Sequence, residues 1–291
     1  MRYMTLHDRA RAYLDLFPPA VDYVPPTLAE IQESRPIDGD AEGRSPRIPL
    51  HEVLDTEIAG VPVRVFRPAP GDLPVVVYIH GGGFVFGSAD VDDPMCRDLA
   101  VQTGALVISV DYRLAPEHPF PAAVDDCWAV LERVLADHER VAVMGESAGA
   151  NLATVCAALA RDAGLPLTHQ MLIYPCTEMR TDTRGFEEEG HHNLETARVA
   201  WMFDQYADAA DRADPRFAPA LLKDKSRMAP ATVITAEHDP LTAECERYAA
   251  DLDAEYRCFD GSLHGFFGLP GFFPEAAEAR KLAADRLRAS F

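Results

Sequence analysis

The chain has 291 residues, 48% of them hydrophobic and 25% charged, the balance of a globular protein long enough to bury a large core. Its formal charge of −20 repels phosphate backbones and anionic lipid headgroups, which argues against a nucleic-acid partner and against membrane binding. No stretch approaches the roughly 18 apolar residues of a membrane helix, and residues 1–17 carry scattered charges rather than an apolar leader. Six cysteines (Cys96, Cys127, Cys156, Cys176, Cys245, Cys258) lie far apart with no C-x-x-C pair, so free thiols in a reducing cytoplasm are expected.

Two short helical patterns, 5–17 and 27–34, open the chain around a proline-rich stretch. Residues 51–58 and 61–67 flank Ala59-Gly60 and read as a hairpin. The solid apolar run 75–79 has the character of a strand buried on both faces, and 105–110, 141–144, 171–174 and 232–235 are similar; 256–259 reads as a further strand. Helical periodicity fills 94–102, 121–136, 148–163 and 241–252, and a last helix over 275–288 follows Pro274. Alternating strands and helices predict an α/β fold with a mostly parallel sheet covered on both sides. Residues 176–215 interrupt the alternation with a polar stretch and one amphipathic helix near 197–207, as expected of an excursion lying over the sheet.

Three segments carry chemistry. Gly145-Glu146-Ser147-Ala148-Gly149 fits G-x-S-x-G between an apolar strand and a periodic helix, the setting that lifts a serine above a sheet edge. The helix start also aims unpaired N–H groups, Ala148 first, at whatever Ser147 attacks. A serine hydroxyl needs a base, and in this arrangement the acid and the histidine follow the serine in that order. Asp239, at a strand end before Pro240, and His264, in a loop after the strand at 256–259, fill those places. The third segment is His80-Gly81-Gly82-Gly83-Phe84, whose bare glycines let backbone N–H groups converge on an oxyanion. A phosphate-cradling loop is the competing reading, but neither G-K-[ST] nor G-x-G-x-x-G occurs.

These segments, with Asp111-Tyr112-Arg113-Leu114-Ala115-Pro116-Glu117, Asp239-Pro240-Leu241 and His264-Gly265-Phe266, resemble the bacterial hormone-sensitive-lipase-like carboxylesterases, the family IV esterases of the α/β-hydrolase superfamily. The likeness runs in family order over about residues 50–291. It implies a mixed sheet of about eight strands, with 46–175 and 216–291 forming the catalytic domain and a helical cap built from 1–45 and the 176–215 insertion. It also implies oxyanion donors at Gly82 and Gly83 beside Ala148, and a preference for short-chain esters. Ala150 stands where glycine is usual and Glu146 where aspartate is common, and the stretch from Asp239 to His264 is shorter than is customary.

The expected activity is therefore cofactor-free hydrolysis of a small-molecule ester by Ser147, Asp239 and His264, with Phe84, Phe86 and Phe266 lining the substrate pocket. An amide or N-acyl hydrolase with the same triad is the alternative, and a non-catalytic ligand-binding relative is a more distant one. His191-His192 reads as a solvated loop rather than a metal site, and no metal is expected. Asp92-Asp93 and Asp125-Asp126 read as helix-start or surface charges. A symmetric homodimer is the base-rate assembly.

Overall fold

A computed structural model describes residues 6, 8–20, 22–35 and 42–291. Strands β1 (Glu52–Ile58) and β2 (Val61–Arg67) pair antiparallel as the hairpin. Its two turn residues, Ala59 and Gly60, both sit at positive φ, 54° and 80°, which suits the right-handed twist of the flanking strands. The chain then builds β3 (Val75–Ile79), β4 (Leu106–Val110), β5 (Val141–Glu146), β6 (His169–Ile173), β7 (Ala231–His238) and β8 (Glu255–Leu263). All eight strands form one sheet in the order β1-β2-β4-β3-β5-β6-β7-β8, in which β2 runs against both neighbours and the other pairs are parallel.

The continuous apolar runs follow from burial on both faces. Val75, Val77 and Ile79 of β3 face the layer of α4 (Ala122–Asp137), α5 (Ala148–Ala163) and α8 (Thr242–Asp251), while Val76 and Tyr78 face α3 (Asp93–Thr103) and α9 (Glu275–Ser290). β5 alternates in the same way. The early helix α1 (Asp8–Leu16) joins the α3/α9 side through Ala10 and Leu14. Thr5, the first residue of the expected 5–17 helix, lies outside the described residues. α2 (Leu28–Ser34) starts at a capping box between Thr27 and Glu30. Just after it, Arg35 makes a double hydrogen bond with Glu117 and donates to Val85 O and Ala115 O.

Between β6 and β7 the chain leaves the sheet. The expected helix there is α7 (Thr196–Tyr206), which buries Val199, Met202, Phe203 and Tyr206. A second helix, α6 (Arg184–Glu189), was not anticipated: Thr183 caps it and Phe186 anchors it in the core, so the acidic run 187–189 forms its last turn. One buried amide ties both ends of the excursion together, since Asn151 Nδ2 donates to Cys176 O (2.7 Å) and Phe217 O (3.0 Å).

β8 starts one residue before the expected strand, at Glu255, and runs four residues beyond its expected end at Phe259, to Leu263. The turn-forming Asp260-Gly261-Ser262 is absorbed by a register shift against β7 at Ala236/His238, with Gly261 N donating to Glu237 Oε2. The Asp92-Asp93 pair does start a helix, but it is buried. Asp92 accepts from Tyr78 OH (2.9 Å), and Asp93 is surrounded by Arg47, Arg64 and Arg97. Asp126 is likewise buried against Arg113. Among the described residues, no helix is long and apolar enough to cross a membrane.

Candidate active site

Ser147 occupies the single residue between β5 and α5, at φ 53° and ψ −120°. Backbone of this kind is costly for a residue with a Cβ and persists only where its surroundings enforce it. Here Ser147 N donates to Ile173 O on the neighbouring strand (2.9 Å). A Cβ on Gly149 would stand 2.1 Å from Ile79 O, so the helix can approach β3 only with glycine at that position.

The last residues of β7 and β8 deliver the two partners. His238 ends β7 and Asp239 follows; Leu263 ends β8 and His264 follows. His264 Nε2 lies 3.0 Å from Ser147 Oγ, and His264 Nδ1 lies 2.7 Å from Asp239 Oδ2. The Asp239 side chain is fully buried, and its other oxygen accepts from Leu241 N (2.9 Å). Three strand ends distant in sequence therefore meet in one chain of contacts, as read from the motifs.

His80-Gly81-Gly82-Gly83 leaves β3 beside the serine. The His80 ring is buried and stacks on Tyr112 (4.2 Å between centroids), while Tyr112 OH donates to His80 O (3.0 Å). The Asp111–Glu117 segment thus braces this loop from below, and Arg35 fastens it from the N-terminal side. Gly82 has φ 110°, and a Cβ there would stand 2.3 Å from Phe86 O. Gly82 and Gly83 line the same cavity as Ser147 and His264. Among the described residues, neither gives its N–H to a backbone acceptor. Ala148 is the first residue of α5, where an N–H has no partner within the helix.

The cavity measures about 260 Å³, and Phe86, Leu194, Met202, Phe203 and Leu269 supply its apolar walls. Two of the three expected pocket aromatics are elsewhere. Phe84, at φ 66°, is fully buried and stacks on Tyr206 (3.8 Å). Phe266 is fully buried against Phe259 and Tyr174. Neighbourhood in sequence to the catalytic loops does not fix which way a ring points, and both rings point into the core.

Several site residues carried no signal in the sequence. Asn193 Nδ2 donates to His264 O (2.6 Å) from the excursion. Tyr174, directly after β6, tilts over the His264 ring at 4.5 Å and donates through its OH to Glu146 Oε2 (3.1 Å). Glu146 lines the cavity; burial, followed by the charge of Asp92, pushes its carboxyl up to about 7. His192, expected on a solvated loop, is instead buried at 3% exposure.

Near the acid lies a second perturbed carboxyl. Burial pushes Glu244 up to about 8, although Thr177 N (2.5 Å) and Glu178 N (3.2 Å) donate to it. A carboxyl whose folded pKa exceeds its unfolded value binds extra protons in the folded state, so its contribution to stability falls as pH rises from about 4.5 to 8. Glu244→Gln keeps a carbonyl acceptor and cannot ionise. Relative to wild type, the variant is expected to gain roughly 2–5 kcal/mol between pH 5 and 9. Urea unfolding at both pH values reads this, and parallel pH curves for the two proteins would reject it.

A family profile described as alpha/beta hydrolase fold matches residues 76–268. The chain belongs to the hormone-sensitive-lipase-like α/β-hydrolases. It is similar to the carboxylesterase NlhH of Mycobacterium tuberculosis, 40% identical over 253 residues that cover 78% of each chain. It is also similar to the ethyl acetate hydrolase of Pseudomonas putida, 37% identical over 250 residues and again 78% of each chain. Among solved structures, the hyperthermophilic esterase of Pyrobaculum calidifontis superposes with a TM-score of 0.89 at 35% identity, covering 98% of this chain and 99% of that one. Membership places the eight-stranded sheet and the G-x-S-x-G elbow of this chain within a group whose named members hydrolyse esters.

Proposed function

We propose that the protein is a serine carboxylesterase that cleaves small, short-chain esters through an acyl-enzyme intermediate. The contact chain Ser147–His264–Asp239, opening into a mostly apolar cavity, carries this reading. The names of the relatives point the same way.

With Nδ1–H donated to Asp239, the His264 Nε2 lone pair faces the Ser147 hydroxyl and takes its proton as Oγ attacks the ester carbonyl. Negative charge then develops on the carbonyl oxygen, and the N–H groups of Gly82, Gly83 and Ala148 are its donors. His264 returns the proton to the departing alcohol. Water, deprotonated by the same imidazole, then attacks the acyl group and frees Ser147. Asp239 stays ionised and stabilises the imidazolium.

Residues 1–45 and 176–215 act together as the cap over a catalytic domain of 46–175 and 216–291. Met202, Phe203 and Leu194 enter the cavity from the excursion and Tyr13 from the N-terminal side, so both segments bound the acyl site. A void of about 260 Å³ suits a short acyl chain and a small alcohol. Six free thiols, five of them buried, fit a reducing cytoplasm. A homodimer is the base-rate assembly, and no nucleic acid or membrane takes part.

A panel of chromogenic esters of increasing acyl length, run beside the matching anilides, tests the reading. Turnover is expected to be highest for the short acids and to fall steeply with chain length, with anilides slower than esters throughout. Anilide turnover matching the best ester would favour an amidase, and turnover of neither class would remove the reading.

A further inference from the structure

Where the excursion meets the sheet, three side chains converge whose chemistry the ester cleavage does not use. Glu189 is the last residue of α6, His192 follows three residues later, and His238 is the last residue of β7. Glu189 Oε2 stands 3.1 Å from His192 Nε2 and 3.4 Å from His238 Nδ1. All three candidate ligand atoms lie within 4.8 Å of one another. We propose that Glu189, His192 and His238 form a binding site for a divalent transition ion of the zinc class, which fastens the excursion to the end of β7.

Zinc bound at about 2.0–2.1 Å in a tetrahedron holds its ligand atoms about 3.3 Å apart. The two carboxylate–imidazole edges of the cluster already have that spacing. Only the imidazole–imidazole edge has to close, and its limit is 4.8 Å. Two imidazoles with one carboxylate select zinc, cobalt or nickel over calcium or magnesium, which want more oxygen ligands. The far nitrogen of His238, Nε2, lies 3.7 Å from Glu237 Oε2, so a carboxylate stands behind this ligand and can orient its ring.

Access is also favourable. His192 and His238 are buried, whereas the Glu189 side chain is 28% exposed, so solvent reaches the cluster on the Glu189 side. Metal replaces the hydrogen bonds that the two rings make to Glu189; no covalent or redox step is involved. The ion sits one residue from Asp239 but touches none of the reacting groups, so its role is to hold the excursion in place.

Chelator-treated full-length protein, titrated with Co²⁺, tests the site. The expected result is one equivalent of low-coordinate cobalt with its visible absorption band, displaced by one equivalent of Zn²⁺, together with a Zn²⁺-dependent rise in the unfolding temperature. His192→Ala and Glu189→Gln are expected to lose affinity roughly 10–100-fold. Glu189→Gln keeps a hydrogen-bond acceptor for both rings, so it reports on metal even if His192→Ala folds poorly. His264→Ala, which removes the imidazole of the proposed triad, is expected to retain the band. Absence of the band in wild type, wild-type cobalt affinity in Glu189→Gln, or loss of the band in His264→Ala would overturn the site. Because these readouts do not depend on ester turnover, failure here leaves the esterase reading standing, and the reverse holds as well.

Discussion

Ser147→Ala is expected to lower ester turnover by about five to six orders of magnitude, the scale seen when the nucleophile of a serine triad is removed. The oxygen lost is the one 3.0 Å from His264 Nε2, and among the described residues no other hydroxyl hydrogen-bonds to that ring. The fold should survive, because only Oγ is removed and the backbone contact of Ser147 N with Ile173 O remains. Two measurements separate chemistry from folding. Initial rates on a short-chain chromogenic ester should collapse, while the unfolding temperature stays close to wild type. An organophosphate should add its mass to the wild-type protein and leave the variant unmodified. Wild-type turnover in Ser147→Ala, or labelling of the variant, would remove Ser147 from the mechanism.

Asp239→Asn should cost about 10⁴ in kcat with little change in size or shape at the site. The carboxylate accepts two hydrogen bonds, from His264 Nδ1 through one oxygen and from Leu241 N through the other. An asparagine can keep the Leu241 contact with its carbonyl, which turns its NH₂ toward Nδ1. That reverses the tautomer: the ring proton moves to Nε2, faces Ser147 Oγ and leaves no lone pair to take the hydroxyl proton. The imidazolium formed in the transition state also loses its counter-charge. Because substrate contacts are untouched, KM should change far less than kcat. Steady-state kinetics on one ester decide the matter, and a kcat within about tenfold of wild type would show that Asp239 has no part in the proton transfer.

The sequence was most informative where one physical requirement left few residue choices. The alternation of β3 between two helix layers demands apolar residues at every position, and 75–79 reads that way at once. The elbow at Ser147 demands a glycine where α5 crosses β3, so Gly149 marks the turn and the strand-to-helix setting marks the serine. Asp239 and His264 were legible because strand ends are where such a sheet gathers its reactive groups, and both follow a strand directly.

Local pattern fails where three-dimensional packing decides. Phe84 and Phe86 are two residues apart in one glycine-rich loop, yet Phe86 faces the cavity and Phe84 lies under Tyr206. Positive φ at Gly82, Gly83 and Phe84 sends successive side chains in directions that no helix or strand period describes. The run Glu187–Glu189 looks like a solvated loop until Thr183 and Phe186 turn it into a capped and anchored helix. His192 appeared exposed for the same reason, since the ring it packs against, His238 at 5.9 Å between centroids, lies 46 positions away on another element.

Asn151 links the helix behind the nucleophile to both feet of the excursion, through Cys176 O and Phe217 O. With the departure and return points fixed by one amide, the forty residues between them can lengthen, shorten or exchange side chains while the serine's own helix stays put. Substrate preference and bond-breaking can therefore drift apart over evolutionary time, and new specificities are open to this scaffold without rebuilding its reaction centre.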